Sequence, residues 1–401
     1  MRVRIEPVFL RGTTAAPPSK SMAHRMLLCA ALAEGESLVH PIELSEDILA
    51  TSDGLRALGA GIRVEDGGLR VTGCRPEEAG SAELNCRESG STLRFLLPLC
   101  LLGGKEMTLT GSERLLGRPL EVYEKLCAER GFRLERGPRG IRVQGRLAAG
   151  EYTVRGDLSS QFITGLAYAL SLAEGESRIR ILPPIESGPY LDMTLEAMNG
   201  SGVRILRPEP ETLVIPGGGG FRSGEKTVEG DWSNAAFFEA LAAAGDPVRV
   251  TGLREDSLQG DRVCREYFRR IREGNAAADV TDCPDLAPVL MAFAAMSGGA
   301  RLTGTRRLRF KESDRGTVMA EELEKFGVRA AVDENEIRIG GEHPHAPAEM
   351  LQGHNDHRIV MALAVLCTRT GGVIEGAEAV RKSFPGFWDA MKALGAGVTV
   401  L

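Results

Sequence analysis

Cations and lone acids gather where helices are due to begin. Pro17-Pro18-Ser19-Lys20-Ser21-Met22-Ala23-His24-Arg25 runs into the apolar stretch Met26–Leu32. Prolines followed by serine are a helix-start signature, so a plain N-cap is one reading. Yet Lys20, Ser21 and Arg25 crowd the first turn, where positive side chains oppose the helix dipole unless an anion is bound. A phosphate there resolves the conflict, because backbone N–H groups and cations converge on it. Glu88-Ser89-Gly90-Ser91-Thr92-Leu93-Arg94 precedes a second apolar helix, with small residues that let backbone approach a ligand. Asp157-Leu158-Ser159-Ser160-Gln161-Phe162 opens a third with two hydroxyls and an amide, suited to sugar-like hydroxyls or phosphate and equally to capping. In the second half, Lys311-Glu312-Ser313-Asp314-Arg315, Asn355-Asp356-His357-Arg358 and Lys382-Ser383-Phe384-Pro385 open further helices, and Asp285 heads Leu286–Met296. One charged helix start is an ordinary solvated face. Repeated units that aim many such starts the same way make a positive focus in a protein of net charge −6.

The elements that must position these residues recur. Leu32-Ala33-Glu34-Gly35-Glu36-Ser37 returns almost verbatim as Leu172-Ala173-Glu174-Gly175-Glu176-Ser177, each ahead of a short strand. Looser copies lie at Leu102-Gly103-Gly104, Ala244-Gly245-Asp246, Ser297-Gly298-Gly299 and Thr370-Gly371-Gly372, where glycine suits a left-handed helix C-cap. A second phrase alternates with the first, as in Leu58-Gly59-Ala60-Gly61-Ile62-Arg63-Val64 and Leu394-Gly395-Ala396-Gly397-Val398-Thr399-Val400. The unit is helix, strand, helix, strand, turn, strand, at a period of roughly 70 residues. The fourth of six copies departs most, with short closing strands expected near Ala278–Val280. The run Pro216–Gly220 has linker composition and divides the copies three and three. An α/β protein of two similar domains, with a small-molecule site in the cleft between them, follows.

Composition narrows the function. The 401 residues are 43% hydrophobic and 26% charged, an ordinary globular balance with room for two cores. The negative net charge speaks against nucleic acid or an anionic membrane as partner. Met1–Gly12 has no apolar segment of a secretory signal, and the longest apolar stretches are too short to span a bilayer, so a cytoplasmic protein is expected. The eight cysteines form no C-x-x-C pair and are expected as free thiols. The histidines, including His343, His345, His354 and His357, lack further ligands at metal spacing, so no metal is expected.

Taken in order, P-S-K-S-x-x-x-R, S-G-S-T-x-R, S-S-Q-F, K-E-S-D-R, N-D-H-R and K-S-F-P resemble the 5-enolpyruvylshikimate-3-phosphate synthase (3-phosphoshikimate 1-carboxyvinyltransferase) family from Pro17 to Trp388. The resemblance implies the enolpyruvyl transferase fold, an inside-out α/β barrel of two domains, each with three βαβαββ repeats about a pseudo-threefold axis. It places residues 13–228 in one domain and 1–12 with 229–401 in the other. It implies transfer of the enolpyruvyl group of phosphoenolpyruvate to the 5-hydroxyl of shikimate 3-phosphate, releasing phosphate, without a cofactor, in the shikimate pathway. By motif position, Lys20, Ser21, Arg25, Ser159, Ser160, Gln161, Ser187, Asp285 and Lys311 would hold shikimate 3-phosphate. Lys20, Gly90, Arg118, Gln161, Arg315, Arg358 and Lys382 would meet phosphoenolpyruvate, and the inhibitor glyphosate would share that site. Asp285 would be the base, Glu312 the proton donor, and Lys20 would share proton transfer and charge stabilisation. A monomer is expected.

Three positions depart from the family pattern. Pro18 stands where glycine is common, Glu88 where many relatives carry asparagine, and Arg307 where a polar amide is frequent. The alternative transferase acting on UDP-N-acetylglucosamine carries a cysteine before its Arg-Pro pair, whereas Gly111–Pro119 here has none. A non-catalytic anion-binding relative is the other alternative, and retention of Asp285 and Glu312 speaks against it.

Overall fold

The computed structural model describes residues 1–401. The chain divides into a continuous unit, Lys20–Val228, and a discontinuous one, Met1–Ser19 with Glu229–Leu401. Each has its own apolar core.

The chain opens with β1 (Arg2–Ile5) and β2 (Gly12–Ala15), both in the discontinuous unit. The continuous unit then begins with α1 (Lys20–Ala31), β3 (Glu34–His40), α2 (Glu46–Ala57), β4 (Gly61–Glu65) and β5 (Gly68–Thr72). Next come β6 (Glu83–Asn85), α3 (Gly90–Cys100), β7 (Met107–Thr110), the short α4 (Glu113–Leu116), α5 (Glu121–Arg130), β8 (Arg133–Gly137) and β9 (Gly140–Gln144). The third repeat is β10 (Glu151–Arg155), α6 (Ser160–Leu172), β11 (Ser177–Leu182), α7 (Gly188–Gly200), β12 (Leu206–Glu209) and β13 (Thr212–Ile215), followed by β14 (Arg222–Thr227). The discontinuous unit resumes with α8 (Trp232–Ala243), β15 (Val248–Thr251), α9 (Cys264–Arg272), β16 (Ala277–Asp279), α10 (Ala287–Met296), β17 (Ala300–Thr303), α11 (Arg315–Lys325), β18 (Ala330–Val332) and β19 (Glu336–Ile339). It closes with β20 (Leu351–Gln352), α12 (His357–Thr370), β21 (Gly372–Glu375), α13 (Phe387–Ala393) and β22 (Val398–Val400).

Five sheets share one plan, β14-β3-β5-β4, β6-β7-β9-β8, β10-β11-β13-β12, β16-β17-β19-β18 and β20-β21-β1-β22. In each, the first two strands are parallel and the others antiparallel, as in β6 with β7, then β7 with β9 and β9 with β8. The parallel pair needs a crossover, and a helix supplies it. The N-terminal strand β1 closes the last sheet, between β21 and β22. The sixth sheet has only β2 and β15. The fourth repeat therefore lacks its closing hairpin. The segment Ala278–Val280, expected to close it, contains the end of β16, which opens the next sheet in parallel with β17.

Two strands are exchanged in the chain path. β2 directly precedes α1 yet pairs with β15, and β14 directly precedes α8 yet pairs with β3. Residues 13–19 accordingly group with the discontinuous unit, where the sequence reading had put them in the segment 13–228. The glycine run is also corrected. Gly218 N donates to Ala173 O at 2.8 Å and Gly219 N to Ser171 O at 2.7 Å, so the segment is a hydrogen-bonded turn against the end of α6. Gly218, Gly219 and Gly220 have φ of 80, 80 and 99°, values that glycine adopts at little cost.

The periodicities explain which helices lie inside. Residues 287–295 of α10 are all buried, as an all-round apolar helix requires. Cys264, Phe268 and Ile271 mark the single buried stripe of the charged helix α9. Helices α8, α10 and α12 pack pairwise in one unit, and α3 packs on α6 in the other. Gly165 permits that last approach. A Cβ there would lie 2.3 Å from Arg94 O and 2.6 Å from the Tyr123 hydroxyl, which itself donates to Arg94 O at 2.6 Å. Helix propensity favours alanine by about 1 kcal/mol, but overpacking costs about 1–3 kcal/mol and the Tyr123 bond must shift. Gly165→Ala is expected to destabilise the protein by up to about 2 kcal/mol net, seen as a lower urea midpoint; a raised midpoint would refute the tight α3–α6 contact.

Candidate functional site

Caps fix where the helices begin. Ser89 Oγ accepts from Thr92 N at 3.2 Å, Ser159 Oγ from Gln161 N at 3.3 Å, and Asp356 Oδ1 from Arg358 N at 2.9 Å. The capping reading of these motifs is therefore correct, and it places their neighbours. Gly90 and Ser160 become first residues of helices, and Ser187 precedes α7 in the left-handed conformation at φ 60°.

In the continuous unit the expected residues form two linked groups. Lys20, at the start of α1, donates to Asp47 Oδ2 at 2.6 Å. Thr92 Oγ1 reaches Asp47 O at 3.5 Å, tying the starts of α2 and α3. Arg94 donates to Gln161 Oε1 at 2.7 Å, and Gln161 Nε2 donates to Ser91 Oγ at 2.9 Å, joining α3 to α6. Gly90 lies against this group: a Cβ would come 2.6 Å from Arg118 Nη1 and 3.1 Å from Arg94 Nη1. Gly90, Arg118 and Gln161 are thus brought together. Arg25 belongs to the second group. It is buried and donates to Thr194 Oγ1 at 2.9 Å, Tyr190 O at 2.8 Å and Ser21 O at 2.7 Å. The bonds to Thr194 and Tyr190 hold α1 to the first two turns of α7, the helix that Ser187 precedes.

Behind α1, His24 Nδ1 meets Thr51 Oγ1 at 2.8 Å, Thr51 meets Thr92 at 2.7 Å, and Thr92 donates to Ser89 Oγ at 2.8 Å. Burial first, and then the charges of Lys20 and Arg25, hold the His24 imidazole well below its ordinary pKa. A neutral ring can complete this hydroxyl chain without adding charge.

The discontinuous unit concentrates the acids. Arg315, 1% exposed, donates from Nε to Asp356 Oδ2 at 2.8 Å, from Nη1 to Asp285 Oδ1 at 2.7 Å and from Nη2 to Glu312 Oε2 at 2.6 Å. Asp285 also accepts from Lys311 Nζ at 3.0 Å and has Arg358 Nη2 at 3.5 Å. Ser313 Oγ donates to Asp356 at 3.0 Å. Lys382 joins through Asn355, whose carbonyl accepts from its Nζ at 2.5 Å. Every residue expected here, Asp285, Lys311, Glu312, Arg315, Arg358 and Lys382, lies in or beside one network. Arg307 lies close too, buried and donating to Thr281 O at 2.5 Å.

The acids differ in state. Burial pushes the Asp285 carboxyl up, but the charges of Lys311, Arg358 and Arg315 outweigh it and hold the group well below the usual carboxylate range. Asp261 goes the other way. Burial, then the negative charge of Asp285, raises it to about 6, although Arg358 and the 2.9 Å bond from Ser233 Oγ oppose this. Two neighbouring carboxyls pushed apart in this way suit a pair in which one stays ionised while the other holds a proton. Burial also lowers the Lys311 ammonium, against the pull of Asp285.

Sequence reasoning left out Asp47, Arg94, Asp261 and Asp356 as site residues. Asp356 stands inside a motif that was singled out, and Asp47 follows the helix-start Ser45-Glu46, so both had a local signal. Asp261 had none, since its partner Ser233 is 28 residues away.

The fold and site define a class: a protein of repeated α/β units whose helix starts carry cations and carboxylates suited to binding small anions and moving protons. The chain belongs to the EPSP synthase (3-phosphoshikimate 1-carboxyvinyltransferase) family, whose model matches residues 6–391. It is 38% identical to the 3-phosphoshikimate 1-carboxyvinyltransferase of Clostridium kluyveri, covering 98% of this chain and 97% of that one. The enzyme of the same name from Clostridium perfringens is 36% identical over 98% of both. The solved EPSP synthase of Acinetobacter baumannii has the same fold, with a TM-score of 0.78 over the full length of both chains at 24% identity. No helix is long and apolar enough to cross a membrane.

The opposed carboxyls set a pH test. Asp261 has a folded pKa of about 6, above the ordinary 3.8, so between those values the folded state holds a proton that the unfolded chain has released. Stability from this group therefore falls as pH rises from about 4 to 6, by on the order of 3 kcal/mol. Asp261→Asn removes this titration. The stability of wild type minus variant, from urea unfolding at pH 4, 5, 6 and 7, should decline across that window; a flat difference would refute the assignment.

Proposed function

We propose that the chain transfers the enolpyruvyl group of phosphoenolpyruvate to the 5-hydroxyl of shikimate 3-phosphate. The observation that carries this reading is the placement of Asp285 and Glu312 on one guanidinium, that of Arg315, at 2.7 and 2.6 Å. Two carboxylates held that close serve a reaction in which one proton leaves a hydroxyl and another reaches a methylene carbon.

In the proposed course, Asp285 takes the 5-hydroxyl proton as its oxygen attacks C2 of phosphoenolpyruvate, and Glu312 protonates C3. The tetrahedral adduct then loses phosphate as a methyl proton returns to a base. No covalent bond to the enzyme forms, and no cofactor is called for. Lys20, Arg118, Arg315, Arg358 and Lys382 receive the phosphate and carboxylate of phosphoenolpyruvate, beside Gly90. Lys20, Ser21, Arg25, Ser159, Ser160, Gln161, Ser187, Asp285 and Lys311 receive shikimate 3-phosphate, and Gln161 also meets phosphoenolpyruvate. Arginine grips such groups with two parallel bonds, more directionally than lysine.

The electrostatics support the roles. Asp285 is ionised by surrounding cations, which would make it a weak base if they stayed unshared. Substrate anions that take up those cations return its affinity for protons toward the working range. The base thus becomes competent when both substrates are bound.

Purified protein mixed with both substrates should release phosphate, and neither substrate alone should suffice. Asp285→Ala and Glu312→Ala are each expected to lower kcat by roughly 10²–10⁴-fold while shikimate 3-phosphate still binds. Wild-type protein that binds both substrates and releases no phosphate would establish the non-catalytic alternative. Because the absence of a side chain at Gly90 lets the Arg118 guanidinium lie against the start of α3, glyphosate is expected to inhibit competitively with phosphoenolpyruvate; inhibition that excess phosphoenolpyruvate fails to relieve would overturn that assignment.

A further inference from the structure

Two consecutive non-glycine residues, His354 and Asn355, have positive φ, 48 and 51°. This left-handed pair lies between β20 and α12, immediately before Asp356. Left-handed backbone is unfavourable for side-chain-bearing residues and persists where the surroundings over-determine it. Here the surroundings are visible. His354 Nε2 lies 2.8 Å from Glu322 Oε1, on α11. Glu322, 1% exposed, also accepts from Lys325 Nζ at 2.9 and 3.0 Å and from Gln352 N at 3.0 Å. Lys325 in turn donates to Met350 O at 3.2 Å. Burial works to raise the Glu322 carboxyl, but these donors together hold it below its ordinary value. An ionised carboxylate only accepts, so His354 Nε2 carries the proton in this contact.

The turn delivers two groups to the site network. Asn355 O accepts from Lys382 Nζ at 2.5 Å, and the next residue, Asp356, is 0% exposed and bonded to Arg315 and Ser313. Asp356 is held by its own cap and ion pairs. On the N-terminal side of the Asn355 carbonyl, Gly353 is tied by its own backbone, its N–H donating to Glu375 O at 2.8 Å and its carbonyl accepting from Asp356 N at 2.8 Å, and His354 adds the side-chain anchor to α11.

We propose that His354, docked on the buried Glu322 of α11, is a positioning residue that holds the strained 354–355 turn and so aims Lys382 at the phosphoenolpyruvate phosphate or carboxylate. The inference rests on the enolpyruvyl-transfer reading above. His354 touches no substrate; it acts through Asn355 O.

The test uses His354→Asn and His354→Gln in the full-length chain. Asparagine tolerates the left-handed conformation but is too short to reach Glu322, whereas glutamine restores an N–H donor at nearly the histidine reach. A misplacement of about 1 Å can cost up to 10²-fold. His354→Asn should therefore raise KM for phosphoenolpyruvate by roughly tenfold and leave KM for shikimate 3-phosphate within about twofold, and His354→Gln should recover most of the loss. Equal rises in both KM values, or none, would overturn the proposal. Hydrogen exchange of the peptide covering 351–358, measured without substrates, gives a second readout. It should be faster in His354→Asn and restored in His354→Gln, and unchanged exchange would also overturn the proposal. If wild type releases no phosphate, the enolpyruvyl-transfer reading fails, and the exchange result alone decides whether His354 holds the turn.

Discussion

The guanidinium of Arg315 is almost wholly removed from water and faces three carboxylates, those of Asp356, Asp285 and Glu312. A buried ion is expensive, and the attraction of its partners offsets the loss of water only when geometry is good and other bonds are satisfied. This arginine meets that condition by drawing on three places in the sequence. Asp285 heads α10, Glu312 and Arg315 lie at the start of α11, and Asp356 caps α12. Removing Asp356 would leave buried positive charge without its most deeply buried partner, a loss on the order of 3–5 kcal/mol for a broken buried pair. The starts of these helices must therefore meet at one point, and the repeats are what make them meet.

That meeting has an electrostatic cost built in. Lysines and arginines at helix starts oppose the local dipole. In this state acids take the place of anionic ligands: Asp47 answers Lys20, and Asp285 answers Lys311, Arg315 and Arg358. The same pairs that stabilise the folded chain would be loosened by incoming phosphate and carboxylate groups. The proposed change in proton affinity at Asp285 on substrate binding follows from the same arrangement. Asp261, buried beside Arg358 and Ser233, is the neighbouring carboxyl whose proton offsets part of the local charge.

The repeat is closed by strands from distant parts of the chain. β1 completes the last sheet, β14 the first, and β2 pairs with β15. Parallel pairing requires a crossover, and it does not require that the crossover be short. The chain satisfies the same strand plan with partners from neighbouring repeats or from two hundred residues away. The repeat that retains only two strands keeps its helix, α8, and its parallel strand pair, β2 with β15.

Much of this was legible in the sequence because it is local. Glycine at helix ends, Ser or Asp at helix starts and the 3.6-residue stripe of α9 are decided within a turn or two of chain, and near-identical phrases such as those at 32–37 and 172–177 expose the repetition. The motifs carrying Lys20, Gly90, Gln161, Asp285, Glu312 and Arg358 were visible for the same reason. The sequence by itself thus determined where helices start, which faces are apolar and which charges stand at each start. Only the tertiary structure decided the partners. It paired Arg315 with acids 30 and 41 residues away, set Asp261 against Asp285, packed the glycine run on α6 and exchanged β2 with β14. Sheet partners and buried ion pairs are chosen by shape and burial across the whole unit, and no short window of residues contains that information.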